Sequence, residues 1–277
     1  MMFKIKPTIK IVATILANNE SDIIGTTIEH HIKQGVTHFI VTDNASTDQT
    51  RSIMERYPEV VEIIDEPGND HSQSKWVTRM AQMACKLSPD WIIHLDADEL
   101  WCNLGSLREQ RGNVVRCEKM YLHPPMGDEF NLQKMQWYLN FNHLPMPQEC
   151  KVAHRPDPDI LISHGNHEAV GKDSELGQLE RHHYPIRSYR QLESKAKKHE
   201  ALKRRNSICK RWESWYDLLS QGKLENEYKR IVNHWHAMTE GDIDKQHFLE
   251  LLSFWATPEM LEYFKDNNHM PRIEKWS

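Results

Sequence analysis

The sequence predicts an α/β fold: a mostly parallel, doubly wound sheet flanked by helices, followed by a helical C-terminal extension. Three observations predict it. Short runs rich in β-branched residues alternate with capped, amphipathic segments through the first hundred residues. The polar clusters of that region follow the runs, where the carboxyl ends of parallel strands would lie. From Ser188 onward the apolar spacing turns helical.

Taken in order, 10–17 reads as a buried strand, and Ser21 as the cap of a helix that runs to Gln34 and stops at Gly35. Residues 37–42 form the second strand. Ser46 with Gln49 has the spacing of a capping box, opening a helix to Tyr57 that Pro58 ends. A third strand covers 60–65, a helix 72–87 and a fourth strand 91–95, with another strand at 114–117. Short connections between alternating strands and helices favour parallel pairing with helices on both faces. The stretch 121–177, with Pro124, Pro125, Pro145, Pro147, Pro156 and Pro158, reads as irregular, and long loops of this kind usually carry function. Ser188 and Gln191 form a second capping box; Tyr189, Leu192, Ala196, His199 and Leu202 make one apolar stripe, and further helices are expected over 208–221, 225–237, 242–253 and 257–266. The expected division is 1–187 for the catalytic domain and 188–277 for the extension.

Composition excludes several classes. Hydrophobic residues make up 39% and charged residues 27% of 277, the balance of a globular chain and not a disordered one. No apolar run approaches the roughly 18 residues of a membrane span, and the 11–17 run lacks a cleavage-site context, so a soluble cytoplasmic protein is expected. Cys85, Cys102, Cys117, Cys150 and Cys209 are scattered and form no C-x-x-C pair, which fits reduced thiols. Residues 1–110 carry 10 Lys/Arg against 16 Asp/Glu, whereas 181–211 carry 11 Lys/Arg against Glu193 and Glu200. That basic stretch is a solvated helix face or a contact for an anionic partner, such as a peripheral membrane contact through 187–211 at the inner membrane face. The acidic remainder argues against nucleic acid.

Chemistry concentrates after the strands. Asp96-x-Asp98 follows the apolar run 91–95 and offers two hard oxygen donors for Mg²⁺ or Mn²⁺. A divalent ion there would bridge a diphosphate and stabilise the charge of a departing nucleotide. By itself the pair is also what an acidic turn looks like. Asp43 ends the second strand, where its carboxylate can accept from a base N–H or a ribose hydroxyl; Asn19 and Glu20 follow the first, Glu20 also suiting a helix dipole. Asp70 and Lys75 sit at the opening of the third helix, Lys75 either meeting a phosphate or standing as a surface charge.

The run 11–50, IVATILANNESDIIGTTIEHHIKQGVTHFIVTDNASTDQT, followed by WIIHLDADE at 91–99, resembles the nucleotide-binding half of family 2 glycosyltransferases. The resemblance covers roughly 9–102; a softer one runs through 164–168 and 183–188. It implies the GT-A fold and the transfer of one sugar from a nucleotide-diphosphate donor, with UDP-sugar foremost, to a glycan or lipid-linked acceptor in polysaccharide biosynthesis. It implies that Asp43 and Glu20 line the base pocket, that Asp96 and Asp98 form the metal-diphosphate motif with Asp98 as direct ligand, and that His183 completes the metal site. The Gln/Arg-x-x-Arg-Trp motif of processive synthases is absent, which favours single-sugar transfer.

An inverting transfer needs a base for the acceptor hydroxyl; Glu168 is assigned to it, with His167 and Asp128 as the alternatives. Gly165 and Asn166 disfavour a helical zinc motif at His164-x-x-His167. Two other readings stay open. A sugar nucleotidyltransferase would want a Gly-rich basic loop where Asn18-Asn19-Glu20 stands. An inactive nucleotide- or glycan-binding protein would share the pocket without the product.

Overall fold

The computed structural model describes residues 9–67, 72–142, 149–203, 210–240, 245–252, 258–267 and 271–276. Along the chain run β1 (Ile11–Ala17), α1 (Ile24–Lys33), β2 (Val36–Asp43), α2 (Thr50–Met54), β3 (Val60–Asp65), α3 (Gln73–Cys85), β4 (Trp91–Asp96), β5 (Glu99–Cys102), β6 (Val114–Cys117), β7 (Lys119–Leu122), β8 (Trp137–Asn140), β9 (Lys151–His154), β10 (Glu175–Leu176) and β11 (Glu180–His183). Then follow α4 (Tyr189–Lys203), α5 (Lys210–Ser220), α6 (Leu224–Glu240), α7 (Lys245–Leu252), α8 (Pro258–Asp266) and β12 (Arg272–Lys275). The chain forms two compact units, one of 1–120 with 148–182 and one of 121–147 with 183–277. Residues 121–147 and 183–187 fall in the second unit.

In the first unit, seven strands lie in the order β10-β6-β9-β4-β1-β2-β3. β1 is central and runs parallel to both β2 and β4. That position explains its sequence: a strand covered on both faces has no place for alternating polar residues, and Ile11, Val12, Ala13 and Ile15 are all buried. One face packs Ile15, Phe39, Val41, Ile93 and Leu95 with Ile24 and Ile28 of α1. The other packs Val12, Ile40 and Ile92 with Val77, Met80, Ala81 and Ala84 of α3, whose i, i+3, i+4, i+7 spacing builds that stripe. Each fully buried aliphatic side chain contributes roughly 1.5–3 kcal/mol.

The sheet departs from the expected pattern at β9. This strand lies within 121–177, expected to be irregular, yet it is inserted antiparallel between β4 and β6. Two expected caps are also replaced. α1 begins at Ile24, and the Ser21 N–H donates to Asp48 Oδ2 (3.1 Å) where a Ser21 cap was expected. α2 spans only Thr50–Met54; Ser46 does not cap it, and Asp48 Oδ1 takes the Thr50 N–H at 2.9 Å. Gly35, at φ +100°, ends the first helical segment as expected, because an L side chain is strained there.

In the second unit, β12 pairs antiparallel with β8, and β8 with β7 through Tyr121 and Leu122. Its core joins Leu122, Leu139 and Phe141 to Leu192, Trp215, Ile231, Trp235, Phe248 and Phe264, so Trp215 and Trp235 serve packing. The Gln191 N–H donates to Ser188 Oγ at 3.1 Å, giving α4 its expected cap. Gln191 Oε1 accepts from the Arg187 N–H at 3.4 Å. Among the described residues, no helix is long and apolar enough to cross a membrane. Cys85, Cys102, Cys117 and Cys150 are free thiols, and burial pushes the Cys102 and Cys117 thiols up to about 12.

Candidate active site

The site is built at the carboxyl edge of β2, β1 and β4. Register fixes its frame: Ala17 pairs with Asp43 and Leu16 with Asp96, so the two acids end strands on opposite sides of β1. β1 is where strand order departs in both directions, the position at which open α/β sheets form a ligand crevice. Asp43 is buried, and its Oδ1 accepts the Ser46 N–H at 3.1 Å, which turns the chain sharply after β2.

The loop after β1 and the loop after β2 are bonded to each other. Asn19 adopts φ 55°, a left-handed conformation that Asn tolerates better than most residues. Its Oδ1 accepts the N–H groups of Thr47 (2.7 Å) and Asp48 (3.3 Å), and its own N–H donates to Ser46 Oγ (3.0 Å). The Glu20 N–H donates to Thr50 Oγ1 at 2.8 Å, and the Glu20 carbonyl takes the N–H groups of Ile23 and Ile24. Both residues thus hold the shape of the edge next to Asp43.

Asp96 ends β4, and Asp98, also buried, sits in the turn before β5. Asp96 Oδ2 accepts from Lys151 Nζ at 2.6 Å, and Asp96 Oδ1 from Asn166 Nδ2 at 3.2 Å. Lys151 is 3% exposed; it also donates to the Gly165 carbonyl at 2.8 Å and lies 3.7 Å from Glu99 Oε1. Glu99 is held by Arg181 NH1 at 2.6 Å, both side chains being 1% exposed. Burial works against the Lys151 ammonium, but Asp96 and then Glu99 outweigh it, and its pKa is raised. Lys151 and Arg181 are site-wall residues absent from the sequence analysis, and Asn166 enters it only as a residue that disfavours a helix. The one available signal was a lysine inside the short run Lys151-Val152-Ala153.

The remaining candidates separate. His167 is half-buried, its Nδ1 2.6 Å from the Cys150 carbonyl, so that nitrogen carries the proton and Nε2 is the basic one. Glu168 is exposed, anchored through its N–H to Ser163 Oγ at 2.9 Å. Lys75 is exposed in the first turn of α3 and lines an open groove with Thr78, Arg79, Leu161 and Val170. Asp128 is exposed and His183 half-buried, both in the second unit. Asp70 lies outside the described residues. In the basic segment, buried Arg187 donates to the Tyr184 carbonyl at 3.0 Å and Lys195 to the Pro185 carbonyl at 2.8 Å.

No cluster of three or more His, Cys, Asp or Glu stands ready for a metal among the described residues. Asp96 and Asp98 nonetheless fit a hard divalent ion of the magnesium type, which takes one or two protein carboxylates and draws its other ligands from phosphate and water.

Fold and site together define a protein of the GT-A class, an α/β sheet with its acidic edge at the carboxyl ends of the strands. Residues 13–108 match the family described as Glycosyl transferase family 2. Several solved structures are similar at 14–20% identity. Glucosyl-3-phosphoglycerate synthase from Mycobacterium tuberculosis, crystallised with Mn²⁺, uridine diphosphate and glucosyl-3-phosphoglycerate, is similar at 20% identity and TM-score 0.31, over 41% of this chain and 44% of that one. S. aureus TarS 1-349 is similar at 14% identity and TM-score 0.42, over 92% of this chain and 83% of that one. A mycobacterial protein is similar at 14% identity and TM-score 0.36, over 64% and 65%. The chain thus spans less than half the length of the synthase. No curated protein matches it.

Proposed function

We propose that the protein is a metal-dependent, inverting glycosyltransferase that moves one sugar from a nucleoside-diphosphate donor, UDP-sugar foremost, to a glycan or lipid-linked acceptor in polysaccharide biosynthesis. The supporting observation is that Asp43 and Asp96 flank the end of β1, as partners of Ala17 and Leu16, inside a stretch matched by the glycosyltransferase family. In this reading Asp43 accepts from the base or ribose, with Asn19 and Glu20 shaping the pocket around it. Lys75 would meet a phosphate, and Asp70 is a further nucleotide-binding residue of this reading. Asp98, with Asp96 and His183, would hold Mn²⁺ or Mg²⁺, which when bound neutralises charge building on the diphosphate.

Glu168 takes the proton of the acceptor hydroxyl, with His167 and Asp128 as the other bases of suitable type. The hydroxyl oxygen forms its bond to the anomeric carbon from the face opposite the diphosphate. The carbon–oxygen bond to phosphate breaks, and its electron pair leaves with the nucleoside diphosphate. Configuration inverts. The catalytic domain would work in the cytoplasm, with 187–211, of which 204–209 lie outside the described residues, as the contact for an anionic acceptor or the inner membrane surface.

Calorimetric titration of UDP with and without Mn²⁺, beside Asp98→Ala, tests the reading. The expected result is about tenfold or more tightening by Mn²⁺, lost in the variant, equivalent to roughly 1.4 kcal/mol. Binding of GDP or dTDP in place of UDP changes the donor alone. No binding of any nucleoside diphosphate overturns the reading.

A further inference from the structure

We infer that Lys151 is a positioning residue of the donor site: its buried ammonium fixes the Asp96 carboxylate and ties it to the turn that carries His167 and Glu168. The inference rests on the donor-site reading of Asp96 and extends it to a residue from the antiparallel strand β9.

Three features carry it. Lys151 is 3% exposed, and an ammonium is taken out of water at such a site only when surrounding groups compensate it. The compensation comes from separate pieces of chain: Asp96 Oδ2 at the end of β4 (2.6 Å), Glu99 Oε1 at the start of β5 (3.7 Å) and the Gly165 carbonyl (2.8 Å). Asp96 is in turn held twice, since Asn166 Nδ2, from the same turn as Gly165, reaches Oδ1 at 3.2 Å. Asn166 is 1% exposed and held at φ 61°, so the turn is fixed in an unusual backbone conformation against the acid.

This arrangement removes the rotation that an acid at the end of a strand would otherwise have. A carboxylate already oriented by two bonds contributes its interaction without an ordering cost on binding. The same ammonium bonds the carbonyl two residues before His167 and three before Glu168. Lys151 therefore sets the donor-side acid and the base-bearing turn in one register. Arg181 on Glu99 backs it from behind, keeping the second counter-charge from swinging away.

The test uses the full chain and UDP with Mn²⁺. Lys151→Met keeps length and removes charge; Lys151→Arg keeps the charge; Asn166→Gly removes the second hold while accepting the positive φ. Calorimetry should show Kd for UDP raised about 10–100-fold in Lys151→Met at unchanged stoichiometry, the range typical of groups that orient a ligand-binding side chain. Lys151→Arg should recover part of the loss, and Asn166→Gly should shift Kd the same way by less. A variant that is merely misfolded in part would lower the stoichiometry and leave Kd alone. Folded Lys151→Met with the Kd of the parent protein overturns the inference. If Lys151→Met does not fold, an unchanged Kd in Asn166→Gly overturns it equally. Failure of the parent protein to bind any nucleoside diphosphate removes the donor-site reading itself, and this inference with it.

Discussion

The Nε2 atoms of His94 and His154 stand 3.1 Å apart, joining β4 to β9 inside the first unit. His154 Nδ1 is 2.7 Å from the Arg155 carbonyl and must donate to it, which leaves His154 Nε2 as an acceptor. His94 Nε2 therefore carries a proton, and His94 Nδ1 accepts from the Thr14 hydroxyl at 2.8 Å. Burial lowers the pKa of both rings and keeps both neutral. A relay in which every nitrogen has a partner is costly to break from one end. His154→Leu strands a buried N–H on His94, and a loss of about 1–3 kcal/mol is expected. The double variant with His94→Leu should lose less than the sum of the two single changes. Urea unfolding of the three variants measures this; strict additivity would show that the two rings do not interact.

Buried neutral histidines also set the acid limit of stability, and two of them, His31 in the first unit and His123 in the second, show how. His31 donates from Nδ1 to the Thr27 carbonyl (2.7 Å) and accepts the Trp101 N–H on Nε2 (3.1 Å). Burial, reinforced by His30, lowers its pKa to about 3. His123 stacks on Tyr184 with ring centroids 4.2 Å apart, and burial lowers it to about 3 as well. Between pH 6.5 and 3 the unfolded chain binds protons at these rings and the native protein does not. Their contribution is complete above pH 6.5 and is lost as pH falls toward 3, at up to about 1.4 kcal/mol per pH unit for each ring. The melting temperature should be level from pH 8 to 7 and decline below 6.5, with a shallower decline in His31→Gln. An equal slope in that variant would assign the acid sensitivity elsewhere.

Asn19 gives a third expectation. Its Oδ1 is the acceptor that closes the loop after β2, and its φ of 55° suits glycine. Asn19→Gly keeps the backbone and deletes the acceptor, so it isolates the hydrogen bonds from the strain. A loss of about 1 kcal/mol is expected, with faster amide exchange at Thr47 and Asp48 and weaker nucleotide binding. Asn19→Asp, which restores an oxygen acceptor, should recover the slow exchange. Unchanged exchange in Asn19→Gly would mean that the loop holds its shape unaided.

What the sequence made legible follows from range. β1, β2 and β4 were readable because strands buried on both faces leave continuous apolar runs, and the acids after them were readable as clusters at one edge. Ser21 and Ser46 misled because their neighbours Asn19, Asp48 and Thr50 form a network across two loops that takes over the capping bonds. β9 was hidden for a related reason. Lys151 and His154 are polar residues at buried positions, and the groups that make them tolerable, Asp96 and His94, lie 55 and 60 residues away in sequence. No local window contains both halves of such a pair.

The identity of the base is open to a direct contrast between adjacent residues. Glu168 presents an exposed carboxylate, whereas His167 spends Nδ1 on the Cys150 carbonyl and has Nε2 as its one basic nitrogen. That Nε2 packs tightly on the turn, since a Cβ added at Gly165 would come within 2.2 Å of it. Glu168→Gln should lower kcat by about 10²–10⁴-fold, the usual worth of a general base, and leave UDP binding intact. Gly165→Ala, strained at φ 74° and in collision with the His167 ring, should instead disturb His167 and the whole turn. Single-turnover transfer with a UDP-sugar, read beside calorimetry, separates the two. A small effect of Glu168→Gln with a large one in His167→Asn would move the proton from the carboxylate to the imidazole. If neither change slows transfer while binding is kept, the base lies outside this turn, and Asp128 becomes the residue to replace next.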